Sequence, residues 1–111
     1  MIKIYGIKNC DSVKKAFKAL EGKSLTYEFI DFKKTPPDLD LIKKWLKQID
    51  VDVLINKRGT TWRKLPDEVK ENLDEDTAIS IMRDNPSVIK RPVNDNDGEI
   101  SVGLNCQLYI M

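Results

Sequence analysis

Histidine is absent from this chain of 111 residues, and cysteine occurs only twice. The first absence excludes Ser-His-Asp and Cys-His catalysis, every His-ligated metal site and a histidine pH switch. Two cysteines cannot build a four-cysteine zinc or iron–sulfur site by themselves. No stretch approaches the roughly 18 apolar residues of a membrane span. Met1-Ile2-Lys3-Ile4-Tyr5 lacks the n-region, apolar h-region and cleavage site of a secretory signal. No charge dominates either: 19 Lys+Arg against 18 Asp+Glu leave +1. That balance gives no general reason to expect nucleic acid or a membrane as partner.

What is present is an ordinary globular composition, 41% hydrophobic and 33% charged, long enough for one real core. The expectation is a single domain spanning residues 1–111. It would be cytoplasmic and reducing in surroundings, with Cys10 and Cys106 read first as thiols.

Ile2 and Ile4 alternate with Lys3 before Gly6 breaks the run, which predicts a strand. Val13, Ala16, Phe17 and Leu20 then fall at i, i+3, i+4, i+7, and Gly22 ends the helix they define. Leu25, Tyr27 and Phe29 alternate with Thr26 and Glu28 as a second strand. This β-α-β unit of about thirty residues predicts a parallel pair. Pro36-Pro37 opens a helix with Ile42, Trp45, Leu46 and Ile49 on one face, Pro37 near its first turn. Asn56–Lys64 is polar, carries Gly59 and reads as a loop. Pro66 starts a short helix through Leu73, and Ala78, Ile81 and Met82 mark another, ended by Asp84-Asn85-Pro86. Ser87–Lys90 and Glu99–Gly103 are expected as the last two strands, with Asn94–Gly98 as the turn between them. The order gives an α/β fold in which a helical insertion, approximately 37–84, separates the β-α-β unit from a C-terminal hairpin. The hairpin joins the parallel pair at its edge and completes a mixed four-stranded sheet.

Cys10 falls between the first strand and the first helix, where unpaired N–H groups and the positive dipole end stabilise an anion. A thiol so placed is a candidate for a lowered pKa and nucleophilic reactivity. The competing reading is a small buried apolar residue. Lys8 and Lys14 add positive potential, and Asp11 opposes it. Val13 stands three residues beyond Cys10, so there is no Cys-X-X-Cys switch. Disulfide chemistry then requires an external thiol or Cys106, 96 residues away. Cys106 reads as a plain structural or exposed thiol. Arg58, beside Gly59, and Arg91, before Pro92, are candidates for binding a carboxylate or oxyanion; taken singly, each reads first as a solvated loop charge. Pro92 cannot donate to a ladder and belongs at a strand end or special turn, where its peptide bond can be cis. Trp62 is either core or a stacking partner for an arginine, and Asp74–Asp76 a solvated helix start.

Together, Tyr5–Asp11 (YGIKNCD) with Lys14-Lys15-Ala16, Arg58–Leu65 (RGTTWRKL), Asn85–Val93 (NPSVIKRPV) and Val102–Asn105 (VGLN) span nearly the whole chain. In this order and spacing they resemble the arsenate reductase (ArsC) family, and especially its YffB-like and Spx-like branches. The resemblance implies a thioredoxin-like fold and makes Cys10 the redox thiol. Arg58 and Arg91 match the family's insertion arginine and the arginine preceding its proline, and Pro92 would be the cis-proline opposite the thiol. Lys8, Asn9 and Lys14 are expected to stabilise the thiolate, and Arg58, Arg91 and Pro92 to bind substrate or glutathione.

Arsenate reductases of the family carry a further arginine where this chain has Gly103-Leu104-Asn105, and a proline before the thiol where it has Ile7-Lys8-Asn9. Spx-like regulators carry a second cysteine at the place of Val13, and a glycine, absent from Gln48–Asp52, for contacting RNA polymerase. The YffB-like branch fits best. The expectation is therefore a glutathione-dependent thiol oxidoreductase with no bound cofactor. Glutathione or another low-molecular-weight thiol would be its co-substrate, and it would act as a monomer. Arsenate reduction and RNA polymerase binding are the alternatives.

Overall fold

The computed structural model describes residues 1–71, 73–104 and Tyr109. It divides into two compact units: one from Met1–Thr35 together with the chain from Arg91 onward, the other Pro36–Lys90.

The first unit is a four-stranded mixed sheet ordered β2-β1-β3-β4. Strand β1 is Ile2–Gly6, β2 is Tyr27–Asp31, β3 is Val93–Asn96 and β4 is Glu99–Val102. β1 lies between a parallel neighbour and an antiparallel one, with Ile4 opposite Phe29 on one side and Asn94 on the other. Helix α1, Asp11–Gly22, crosses between β1 and β2 and buries Val13, Ala16 and Leu20, three of the positions that its 3.6-residue spacing aligns. Ile4 and Leu20 form the centre of the cluster, with Ile2, Phe17, Tyr27, Phe29 and Tyr109 packed around them. Phe17 sits edge-on to Phe29 with centroids 4.9 Å apart, and Tyr5 stacks on Phe32 at 6.5 Å. This is the thioredoxin-like arrangement, with the helical insertion between its two halves.

The second unit is helical: α2 (Leu39–Leu46), α3 (Val51–Leu54), α4 (Thr60–Arg63), α5 (Asp67–Glu71) and α6 (Glu75–Asp84). Asp38 caps α2 by accepting the Leu41 N–H at 2.9 Å. Pro37 therefore precedes the cap and does not lie in the first turn, and Ile49 falls beyond the helix end at Leu46. Asp74 caps α6 in the same way through Thr77, at 2.8 Å, as the acidic Asp74–Asp76 stretch suggested. The loop expected at Asn56–Lys64 contains α4, which buries Trp62. The cation above that ring is Lys57, 5.7 Å from its centroid, and not an arginine.

Two strand assignments need correction. Ser87–Lys90 is not a strand of the sheet: Pro86–Val88 form a 3-10 turn, and Ile89 only bridges to Ile55. That bridge is closed by Asn56 N–H on the Val88 carbonyl (2.8 Å) and Lys90 N–H on the Leu54 carbonyl (2.7 Å). Nor is the whole of Asn94–Gly98 the turn. β3 runs through Asn96, and the turn is Asp97-Gly98 alone, with φ of 57° and 99°, the double positive φ that a tight hairpin requires. Arg91-Pro92 therefore leads into β3; it does not trail a strand.

Asn94 and Asp95 misled the pattern because they are polar, yet both are buried. Asp95 accepts the Gly98 N–H at 2.7 Å, and Asn94 spends its amide on three partners described below. Buried polar groups persist when so satisfied.

Gly98→Ala places a side chain at φ 99°. It should cost about 1–2 kcal/mol and lower Tm by about 4–8 °C per kcal/mol. Thermal denaturation by circular dichroism measures this.

Candidate active site at the N-terminus of the first helix

Cys10 is the N-cap of α1, with extended φ and ψ of −122° and 130° and its carbonyl accepting the Lys14 N–H at 3.0 Å. Serine, threonine or aspartate normally supplies an oxygen at this place; here a partly exposed thiol does instead. The neutral thiol makes no cap hydrogen bond. Burial raises its pKa, but the N–H groups of Val13 and Ser12 and the hydrogen bond and charge of Arg91 outweigh that. The net position is below the ordinary thiol value. A thiolate is a better acceptor than a thiol, so the same donors hold the ionised form more firmly.

Arg91 reaches the sulfur because β3 is in register with β1. Tyr5 pairs with Val93, so the residues continuing each strand, Gly6 and Pro92, face each other beyond the ladder. The Arg91–Pro92 peptide is cis, and Pro92 is fully buried. Gly6 makes the close approach possible. A Cβ there would stand 2.7 Å from Val13 Cγ2 and 3.8 Å from Arg91 Cβ. In the sequence Gly6 reads as a strand breaker, and a glycine just ahead of the thiol turn is also the signal for tight packing.

Cys10, Arg91 and Pro92 are thus brought together within the first unit. Lys8, Asn9 and Lys14 are exposed, and none of them is among the groups that shift the thiol. Lys8 instead lines a groove of about 440 Å³ with Glu28, Phe29, Ile30, Asp31, Lys34 and Thr35. Arg58 belongs to the second unit. Its N–H donates to Asn56 Oδ1 at 3.2 Å, and it lines a groove of about 500 Å³ with Lys57, Lys90 and Asp52 among others. Lys57 is already engaged by Asp52 at 2.7 Å. Cys106 lies outside the described residues. Among the described residues no cluster of His, Cys, Asp or Glu could hold a metal ion, and no helix is long and apolar enough to cross a membrane.

A thioredoxin-like sheet with one activated thiol before its first helix defines the class. The ArsC family model matches residues 5–109, and the chain belongs to that family. An uncharacterized protein of Haemophilus influenzae is 44% identical over 98% of this chain and 96% of its own. An arsenate reductase of Neisseria meningitidis is 30% identical over 92% and 89%. The global transcriptional regulator Spx of Listeria innocua is 27% identical over 95% and 81%. Among solved structures, a YffB protein superposes with a TM-score of 0.89 at 39% identity, covering 93% of this chain and 90% of that one.

Replacing Arg91 by alanine should raise the Cys10 pKa and slow its alkylation at pH 7 about three- to tenfold. Iodoacetamide kinetics resolved for the Cys10 peptide by mass spectrometry read this. The folded pKa is depressed, so the thiolate's contribution to stability is full above the unfolded value of about 8.5. It is lost as pH falls through the folded value. Denaturant midpoints measured across that window should rise with pH in the parent and rise less in Arg91→Ala.

Gly6→Ala should cost about 1–3 kcal/mol by overpacking against Val13. Combining it with Val13→Ala should give less than the sum of the two, since the new methyl then has room. Urea unfolding of the four chains tests the coupling.

Proposed function

We propose that this protein is a glutathione-dependent thiol oxidoreductase with Cys10 as its redox thiol. The observation that carries the reading is the partly exposed Cys10 sulfur held at the α1 N-terminus with the Arg91 guanidinium hydrogen-bonded to it. The Cys10 thiolate attacks the glutathione sulfur of a mixed disulfide between glutathione and a substrate thiol. The Cys10–glutathione bond forms as the old S–S bond breaks, and the substrate thiolate leaves. A second glutathione thiolate then attacks the glutathione sulfur of the Cys10–glutathione disulfide. Glutathione disulfide is released and the Cys10 thiolate restored. Two electrons pass in each cycle, and protons exchange with solvent because no histidine is present.

In this reading Arg91 and Arg58 bind a carboxylate of glutathione or of an anionic substrate. The backbone beside Pro92 pairs with the bound peptide, which lies in extended form. The protein acts as a monomer in a reducing cytoplasm, and another low-molecular-weight thiol serves where glutathione is absent.

The same pairing of thiolate and guanidinium favours one second reading, arsenate reduction. Cys10 would attack the arsenic with loss of water, and two thiols would supply the electrons that release arsenite. Val13 in place of a second cysteine and the lack of glycine in Gln48–Asp52 weigh against an Spx-like regulator of RNA polymerase.

Incubation with glutathione disulfide should place glutathione on Cys10, located by peptide mapping. Glutathione-dependent reduction of a small disulfide should proceed and be abolished by Cys10→Ser. Absence of the adduct on Cys10 overturns the proposal. Arsenate-dependent turnover that requires both Cys10 and Arg91, with no disulfide turnover, replaces it by the second reading.

A further inference from the structure

Asn94 lies wholly buried in β3, on the face of the sheet that also carries Ile4. Its Nδ2 donates to the Gly103 carbonyl at 2.9 Å and to Ser101 Oγ at 3.2 Å. Its Oδ1 accepts the Tyr109 hydroxyl, whose ring rests against the Ile4–Leu20 cluster. Gly103 follows β4 with φ 81°, a conformation that L side chains rarely adopt. Its N–H donates to the Pro92 carbonyl at 2.8 Å. A closed ring results: Pro92 carbonyl to Gly103, Gly103 carbonyl to the Asn94 amide, and two peptide units from Asn94 back to Pro92. The peptide on the other side of Pro92 carries Arg91, whose guanidinium meets Cys10.

We propose that Asn94 is a positioning residue for the Cys10 thiol. Its buried amide, acting through Gly103, fixes the Pro92 carbonyl and so holds Arg91 against the sulfur. The chemistry of the side chain is specific to that task. A carboxamide supplies two donors and an acceptor from one short stem, which matches a carbonyl and a hydroxyl oxygen on one side and a phenol on the other. Alanine would satisfy none of the three. Aspartate would set a carboxylate against the Gly103 carbonyl and repel it. Hydrogen bonds weaken steeply with displacement and angle, so a looser Pro92 anchor is felt at the Arg91–Cys10 contact. The inference concerns the thiol used in the proposed function, but its test reads thiol acidity and not turnover, so either can fail while the other stands.

The test is peptide-resolved alkylation of Cys10 across pH in four chains: parent, Asn94→Ala, Arg91→Ala and the double variant. Asn94→Ala should slow alkylation at pH 7 about two- to fivefold through a raised Cys10 pKa, by no more than Arg91→Ala does. In the Arg91→Ala background it should have no further effect, because the residue acts through Arg91. Ile100→Ala, which truncates a buried side chain of the same hairpin, should destabilise the protein yet leave the Cys10 pH profile unchanged. An unchanged profile in Asn94→Ala overturns the proposal, as does an equal slowing with and without Arg91, or the same shift in Ile100→Ala. If Asn94→Ala does not fold, Tyr109→Phe and Ser101→Ala decide. Each removes one partner of the amide, and a slower Cys10 in either supports the inference while parent-like profiles in both reject it.

Discussion

A helix N-terminus needs acceptors for its first N–H groups, and in α1 the residue at that place offers sulfur where oxygen is usual. As a neutral thiol Cys10 leaves the cap unmade; as a thiolate it would take the Ser12 and Val13 donors and the Arg91 guanidinium together. Burial pushes the other way, and the donors win. Helix geometry thus sets the acidity of the sulfur, and the sulfur's charge in turn completes the helix. In a chain with no imidazole, this is how a nucleophile can be prepared near neutral pH.

That balance depends on an arginine from the far end of the sequence reaching the cap, which is a matter of sheet order. β1 is central, so its C-terminal end meets the start of β3 on one side and delivers the chain into α1. Gly6 lets Val13 and the Arg91 stem crowd that junction. The hairpin closes it from behind through Gly103 on the Pro92 carbonyl. Were β3 displaced by one residue in register, its side chains would change faces and Asn94 would lose its partners. The buried polar residue therefore specifies the register that brings Arg91 to Cys10.

The β-α-β unit, the hairpin and their union in one mixed sheet were legible because period-2 and period-3.6 patterns report burial on one face, as Ile2/Ile4 and Val13/Ala16/Leu20 do. Cys10 was legible from its place between strand and helix. The start of β3 was not. Ser87–Lys90 is apolar enough to imitate a strand but is consumed by a 3-10 turn and a bridge to Ile55. Asn94–Asn96 reads as part of a turn because, after the apolar Val93, the buried side chains of β3 are an amide and a carboxylate. Polarity in sequence says nothing of whether a partner waits in the fold, and Ser101, Gly103 and Tyr109, which meet the Asn94 side chain, are all later in the chain. The lysines differ from Arg91 for a related reason. Lys8 and Lys14 are near Cys10 in sequence but exposed, where charge is screened by water, whereas Arg91 is remote in sequence and in contact with it.

The lack of a Cys-X-X-Cys partner at position 13 bears on the chemistry as much as the thiol at Cys10. Val13 is fully buried beneath Gly6 and serves packing, so a bond formed at Cys10 meets no resolving sulfur one turn along. Among the described residues none other carries a thiol. In the function proposed above, a captured group is released by a thiol arriving from solution, which demands access and an attraction for anionic thiols. The chain's net charge of +1 hides that attraction, because the cation that meets the sulfur is a single guanidinium. One such fork, held in place by backbone and a buried amide, does locally what a basic surface would do diffusely. It favours the charge of a thiolate or a carboxylate at the point where the proposed bond exchange would occur.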